Sequence, residues 1–385
     1  MNRLYQRILA PARSSFFLFG MRGSGKSTWV EGQRLASHTI NLLREDLYQR
    51  ILANPLVFSG QMETLKAGSW VFVDEIQRLP SLLNDIHRLI EERKLKFILT
   101  GSSARKLKSG GVNLLGGRAL VKQMFPLLPE EMGEDFDLDR TLAHGSLALI
   151  VSSEDSPEER LQAYVQTYLK EEIRAEALVR NLSGFARFLP VAGLFHSQVI
   201  NISNIARDCG VERTTVAGYL DILDDTLLTF RLPAFEAKLR VRERKHSKLY
   251  WLDPGVARAA KGHTGHVTAE ERGTLFEGWV AQVLRGYQSY RSLFDEMYYW
   301  APAQARATEV DFIVQRGRAV IAIEAKGSHR VRDDFFKGLR AITGMKGLRR
   351  RIVVYTGSER LRTQDGIEVL PALEFAHILA EGKLF

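Results

Sequence analysis

Eight consecutive residues, Gly20-Met21-Arg22-Gly23-Ser24-Gly25-Lys26-Ser27, have the types and spacing to hold a phosphate chain, G-x-x-x-x-G-K-S without a mismatch. The glycines let backbone N–H groups converge on phosphate oxygens, and the N-terminus of a following helix adds positive potential. Lys26 is expected to reach the β- and γ-phosphates, and Ser27 to coordinate Mg²⁺ through its hydroxyl. The candidate nucleotide contacts are Gly20, Gly23, Ser24, Gly25, Lys26, Ser27 and Thr28, with ATP and Mg²⁺ as the cofactors. A second element is the acidic pair Asp74-Glu75, placed at the end of the apolar run Trp70-Val71-Phe72-Val73. Burying such a pair is unfavourable unless it meets a cation or hydrogen-bond donors. Asp74 is therefore a candidate Mg²⁺ ligand, direct or through water, and Glu75 the candidate base for the attacking water. A third apolar run, Phe97-Ile98-Leu99, ends in Thr100-Gly101-Ser102-Ser103. Polar residues at the carboxyl end of a parallel strand face the ligand crevice. Ser102 is favoured among them to contact the γ-phosphate or orient the water.

A different chemistry is written in the last third of the chain. Val310-Asp311-Phe312-Ile313-Val314 and residues 319–323 read as strands, the second leading into Glu324-Ala325-Lys326. Alternate strand residues share a face, so Glu324 and Lys326 point the same way. A hairpin with an even number of loop residues, around Arg316-Gly317-Arg318, would put Asp311 on that face as well. Two carboxylates and a lysine so placed suit phosphodiester cleavage. Asp311 and Glu324 would bind Mg²⁺, and Lys326 would position or deprotonate water and stabilise developing charge. Glu277, on an apolar-striped helix over 275–284, could complete the metal shell.

The elements that must position these residues set the organisation. Phe16-Phe17-Leu18-Phe19 reads as a buried strand feeding the glycine loop, and residues 28–35 can continue as a helix. Residues 202–223 read as two short helices around the turn Cys209-Gly210-Val211. Val216, Tyr219, Leu220 and Leu223 face inward on the second, and residues 226–232 could supply a wing strand. Arg213, Thr214 and Thr215 open that second helix, where base edges would be reached. Residues 157–180 look helical, residues 130–139 read as an acidic linker or exposed turn, and residues 241–248 as a solvated basic run. Further strands are expected at Met297-Tyr298-Tyr299-Trp300 and Ile352-Val353-Val354-Tyr355, with a helix over 331–345 between them and the carboxylates.

Charge changes sign along the chain. Residues 1–128 carry 19 Lys/Arg against 9 Asp/Glu, and residues 129–195 carry 6 against 13, which marks a first boundary. The 385 residues suggest two or three domains by length. The expected division is 1–128, 129–195, 196–245 and 246–385. The overall net charge of +9 fits a nucleic-acid partner. One cysteine, Cys209, excludes an internal disulfide framework and a cysteine-based metal cluster. No apolar run approaches the length of a membrane span, and residues 1–7 lack the apolar core of a signal peptide, so a cytoplasmic protein with no membrane partner is expected.

Residues 13–128 resemble the AAA+ branch of P-loop ATPases, with the glycine loop as Walker A and Asp74-Glu75 as Walker B. Nearly the whole chain resembles a group of prokaryotic AAA+ ATPases with a winged-helix region and an uncharacterised C-terminal domain. Val73-Asp74-Glu75-Ile76-Gln77, Leu99-Thr100-Gly101-Ser102-Ser103-Ala104, Leu115-Gly116-Gly117-Arg118 and Pro126-Leu127 carry that narrower likeness. The resemblance makes Arg118 the leading arginine-finger candidate and Arg105 the runner-up. Action in trans would require a homo-oligomer. The C-terminal third resembles the PD-(D/E)xK restriction-endonuclease-like fold on Glu277, Asp311, Glu324 and Lys326, with Val310 standing where the name-giving proline would be.

The expected fold class is α/β: an AAA+ core with a parallel sheet, then a helical and winged-helix domain, then a nuclease-like α/β domain. Three functions follow. The first is a Mg²⁺-dependent ATPase that remodels or senses a macromolecule, with DNA as the favoured partner. The second is an ATP-gated nuclease acting in defence or repair. The third is a nucleotide-switched adaptor for a protein partner. The first is the primary reading.

Overall fold

The apolar run at Phe16 forms β1 (Phe16–Gly20), and all five of its residues are buried. In the computed structural model, which describes residues 4–103, 115–169, 182–237, 243–303 and 308–385, four further strands join it. They are β2 (Ala36–Asn41), β3 (Trp70–Asp74), β4 (Lys96–Gly101) and β5 (Leu120–Met124). The sheet order is β2-β3-β4-β1-β5 and every pairing is parallel. Parallel neighbours need crossovers, and helices at Lys26–Gln33, Glu45–Ala53, Leu56–Glu63 and Leu82–Arg93 supply them. Strands covered on both faces read as unbroken apolar runs, which is why β1, β3 and β4 lack polar alternation. Phe17, Phe19, Val71, Val73, Phe97 and Leu99 fill one core beneath them. The chain leaves β1 for the sheet edge at β2, while β4 and β5 flank β1. The loop after β1 thus opens at the reversal point of strand order, where open α/β sheets bind ligands.

This sheet belongs to one compact unit, Arg7–Phe125 with Asp225–Leu227. The rest, Met1–Gln6, Pro126–Asp224 and Leu228–Phe385, forms a second unit. Segments 129–195, 196–245 and 246–385 of the expected division all lie in this second unit apart from Asp225–Leu227. Asp253 shows why. Its fully buried carboxylate accepts backbone N–H bonds from Ser146 (2.8 Å) and Val256 (2.9 Å), tying the turn at 145–147 to the helix Pro254–Ala260. Gly145 has φ 76, and a Cβ there would sit 1.8 Å from the Asp253 carboxylate.

Several local expectations change. Residues 130–139 are no linker: Pro129–Met132 and Leu138–His144 are helices, and Glu131 is buried, accepting the Leu128 N–H at 3.0 Å. The 157–180 helix begins at Pro157–Ala163 and continues over Tyr164–Leu169 with wider π-type turns, and its remainder lies outside the described residues. The helix expected over 331–345 shortens to Lys337–Ala341 after a single 3₁₀ turn.

The helices Ile202–Cys209 and Arg213–Asp225 form as the apolar spacing requires, with Gly210 in left-handed geometry between them. They adjoin a three-stranded antiparallel sheet of β6 (Gln198–Val199), β7 (Thr229–Leu232) and β8 (Lys248–Trp251), in the order β6-β8-β7. The expected boundary at 245/246 falls between β7 and β8, two strands of this one sheet. Lys248, read as part of a solvated run, opens β8 and is only 2% exposed.

The remaining strands are β9 (Glu296–Trp300), β10 (Val310–Arg316), β11 (Ala319–Lys326), β12 (Leu348–Tyr355), β13 (Leu361–Arg362) and β14 (Glu368–Pro371). They form a six-stranded sheet in the order β13-β14-β12-β11-β10-β9, with β10 and β11 an antiparallel hairpin closed by Gly317 and Arg318. A 23-residue helix, Ala269–Arg291, carries Glu277. Among the described residues no helix is long and apolar enough to cross a membrane.

Asp253 gives a stability prediction. Burial raises its pKa from 3.8 to about 6, outweighing the N–H bonds that favour the charged form. A carboxyl raised in the folded state holds its proton there while the unfolded chain has lost it. Its contribution to stability therefore falls as pH climbs from 3.8 to about 6. Asp253→Ala should lower stability by about 2 kcal/mol through loss of the cap, and should remove that slope, as read by denaturant unfolding across the same pH window.

Candidate functional site

The loop after β1 closes through Gly25, whose φ of 89 and ψ of 23 start the helix Lys26–Gln33 from a left-handed residue. A side chain there would be strained, so the sequence needs glycine. The loop turns Lys26 inward. It is 6% exposed, and its Nζ donates to the carbonyls of Gly20 (2.8 Å) and Met21 (3.2 Å). Ser24 is fully buried and its hydroxyl makes no hydrogen bond. Thr28 lies in the first helical turn and is exposed.

Asp74 ends β3 and is 4% exposed. Ser27 Oγ donates to it, 3.0 Å from each carboxylate oxygen, and Thr100 Oγ1 at the end of β4 donates to its Oδ1. Glu75 follows in left-handed geometry, φ 58, which turns the chain out of the sheet into the 3₁₀ turn Ile76–Arg78. Gln77 is 4% exposed, and its Nε2 donates to Glu75 Oε2 and to Ser102 Oγ (3.3 Å). The fold thus brings Lys26, Ser27, Asp74, Glu75, Thr100 and Ser102 to one end of the sheet. Sequence reading quoted Gln77 only as part of the family likeness and gave it no role.

These groups fit a Mg²⁺–nucleotide. The buried Ser24 hydroxyl, which has no hydrogen-bond partner, and the Lys26 ammonium, which faces the Gly20 and Met21 carbonyls, are donors placed for a phosphate chain. Ser27 and Asp74 present adjoining oxygens to a cation. Arg118 stands apart from this arrangement: it follows Gly116 and Gly117, is 39% exposed and pairs through Nε with Glu91. An exposed pair of that kind is weak and can exchange partners. Arg105 lies outside the described residues.

Arg213 and Thr214, the candidate base-reading residues, are exposed at the start of their helix. On β7 the neighbouring cation, Arg231, is already neutralised by Asp221 (2.7 Å) and Asp224 (2.6 Å).

The C-terminal candidates also come together. The β10–β11 register pairs Phe312 with Ile323, which sets Asp311 opposite Glu324. Asp311 is 1% and Glu324 4% exposed. Lys326 Nζ binds Glu324 Oε1 at 2.5 Å. Two residues missed in sequence complete the cluster, both from β8. Lys248 Nζ lies 2.9 Å from Glu277, 3.2 Å from Asp311 and 3.5 Å from Glu309, and Tyr250 OH donates to Glu277 Oε1. Burial pushes Glu277 up to about 7, with Asp311 adding to the rise. Burial and the Asp311 charge raise Glu324 well above the usual carboxylate range. Burial acts on Asp311 in the same sense, but Lys248 and Lys326 together hold it below its ordinary value.

Residues 12–133 match a family model described as an AAA domain, which supports an AAA-type ATPase. Residues 135–266 and 272–375 match two models each described as a domain of unknown function, DUF8612 and DUF4143. Two uncharacterized proteins, one of Mycobacterium bovis and one of Mycobacterium tuberculosis, are each 24% identical over 326 residues, covering 83% of this chain and 71% of theirs. The crystal structure of protein VC1899 from Vibrio cholerae aligns over 96% of both chains at 12% identity, with a TM-score of 0.23, and that likeness carries no argument.

The left-handed Gly25 gives a direct check on the loop. Gly25→Ala should weaken ATP binding by at least about tenfold, because a Cβ strains the turn that aims the N–H groups. Titration with a fluorescent ATP analogue reads the change.

Proposed function

We propose that the chain is a Mg²⁺-dependent ATPase of AAA type that uses ATP hydrolysis to remodel or sense a macromolecule, with DNA the favoured partner. One observation carries the reading: Ser27 and Thr100 converge on the buried Asp74 carboxylate beside the glycine loop that holds Lys26. In this reading the loop N–H groups bind the phosphates, and Lys26 exchanges the Gly20 and Met21 carbonyls for the β- and γ-phosphate oxygens. Mg²⁺, held by Ser27 and by Asp74 directly or through water, would neutralise charge on those oxygens. Thr100 keeps Asp74 aligned for that task.

Glu75 accepts the proton of the attacking water. Its carboxylate is held by the Gln77 amide, which also bonds Ser102, so the base and the polar end of β4 move as one unit. Ser102 then lies on the side where the γ-phosphate would be sensed. Arg118 of a second copy would supply the stabilising charge, after leaving Glu91. The DNA assignment rests on the net positive charge and on the exposed Arg213 and Thr214.

Lys26→Ala should abolish ATP turnover. Glu75→Gln should keep ATP bound while lowering kcat by about 10²-fold or more, because only proton transfer is removed. A phosphate-release assay beside equilibrium ATP binding separates the two. Unchanged turnover in both variants would refute the assignment. Tight ATP retention without turnover in the unaltered chain would favour the nucleotide-switched adaptor.

A further inference from the structure

The carboxylates of the C-terminal sheet suit phosphodiester cleavage only with a divalent cation between them. Their hydrogen bonds test whether one fits. Asp311 Oδ1 is taken by Lys248, and Oδ2 accepts the Ala325 N–H at 3.0 Å. Glu277 Oε1 receives both Lys248 and the Tyr250 hydroxyl, and Glu324 Oε1 receives Lys326, while Glu324 Oε2 is buried without a hydrogen-bond partner. An ammonium has three N–H donors, and Lys248 meets three carboxylates, Glu277, Asp311 and Glu309, within 3.5 Å. It is 2% exposed, and the Tyr299 ring lies 5.5 Å away. Among the described residues no three His, Cys, Asp or Glu side chains form a group that could hold a metal ion. A divalent ion joining Asp311 to Glu277 would have to enter where the Lys248 charge already sits.

We propose that the Lys248 ammonium is the resident cation of this cluster, so that the centre takes up no divalent metal and cuts no nucleic acid by a metal-dependent route. Its role is then an ionic joint. Lys248 and Tyr250 fasten β8 of the three-stranded sheet to the helix Ala269–Arg291 through Glu277, and to β10 of the six-stranded sheet through Asp311. The joint lies entirely within the second compact unit, and the nucleotide site lies in the first. Loss of ATPase activity and loss of this property are therefore separately observable.

Mn²⁺ titrated into the nucleotide-free full chain, with the bound ion read by electron paramagnetic resonance, tests this. Asp311→Asn assigns any signal to the cluster. The unaltered chain should show no Asp311-dependent binding at millimolar Mn²⁺. Lys248→Met, which keeps the volume and removes the charge, should gain a site at least about tenfold tighter. If that variant does not fold, Lys248→Gln, which removes the charge but keeps a donor to the carboxylates, is read the same way. An Mn²⁺ site in the unaltered chain that Asp311→Asn abolishes would overturn the proposal. So would metal-dependent cleavage of DNA or RNA lost in Asp311→Asn, or a folded Lys248 variant that gains no ion.

Discussion

A carboxylate buried at the end of a strand must be met by donors, and the Asp74 side chain is where the nucleotide half of this molecule obeys that rule. At 4% exposure it cannot rely on water. Ser27 reaches it from the helix after β1, and Thr100 reaches it from the end of β4. Three segments are thereby held to one point: the loop that follows β1, the end of β3 and the end of β4. Removing either hydroxyl would leave part of the charge unpaired, a penalty that falls on the strand ends and on the loop at once. The glycine loop, Glu75 and Gln77 inherit their positions from that arrangement.

The second unit meets the same constraint with the opposite sign at its centre. Here the buried charge is an ammonium, Lys248, and the carboxylates surround it. Breaking a buried pair leaves an uncompensated charge, which is strongly destabilising. The cluster therefore couples β8 to the helix bearing Glu277 and to the hairpin bearing Asp311.

Much of the first sheet was legible in the sequence because two signals coincide there. The motif at 20–27 demands a strand before and a helix after it, and the apolar runs at 16–19, 70–73 and 97–99 supply strands with polar ends. The hairpin bearing Asp311 and Glu324 was legible as two strands, but its register was legible only on the condition of an even loop, which the turn Gly317-Arg318 meets. Gln77 was not. Its importance depends on β3 and β4 lying side by side, which no local pattern encodes. Lys248 was misread for a related reason. It ends a run of basic residues, and its burial is decided by acids on two later segments, the helix bearing Glu277 and residues 309–311. Asp253 and β8 join segments whose charge and composition are unlike, a connection no local pattern encodes.

The measurement closest to the central claim is ATP hydrolysis by the full chain under varied Mg²⁺, alone and with single-stranded, double-stranded and branched DNA at low salt. The account predicts turnover that requires Mg²⁺ and rises several-fold with one form of DNA, where phosphate contacts are strongest. Absence of Mg²⁺-dependent phosphate release under all these conditions would contradict it.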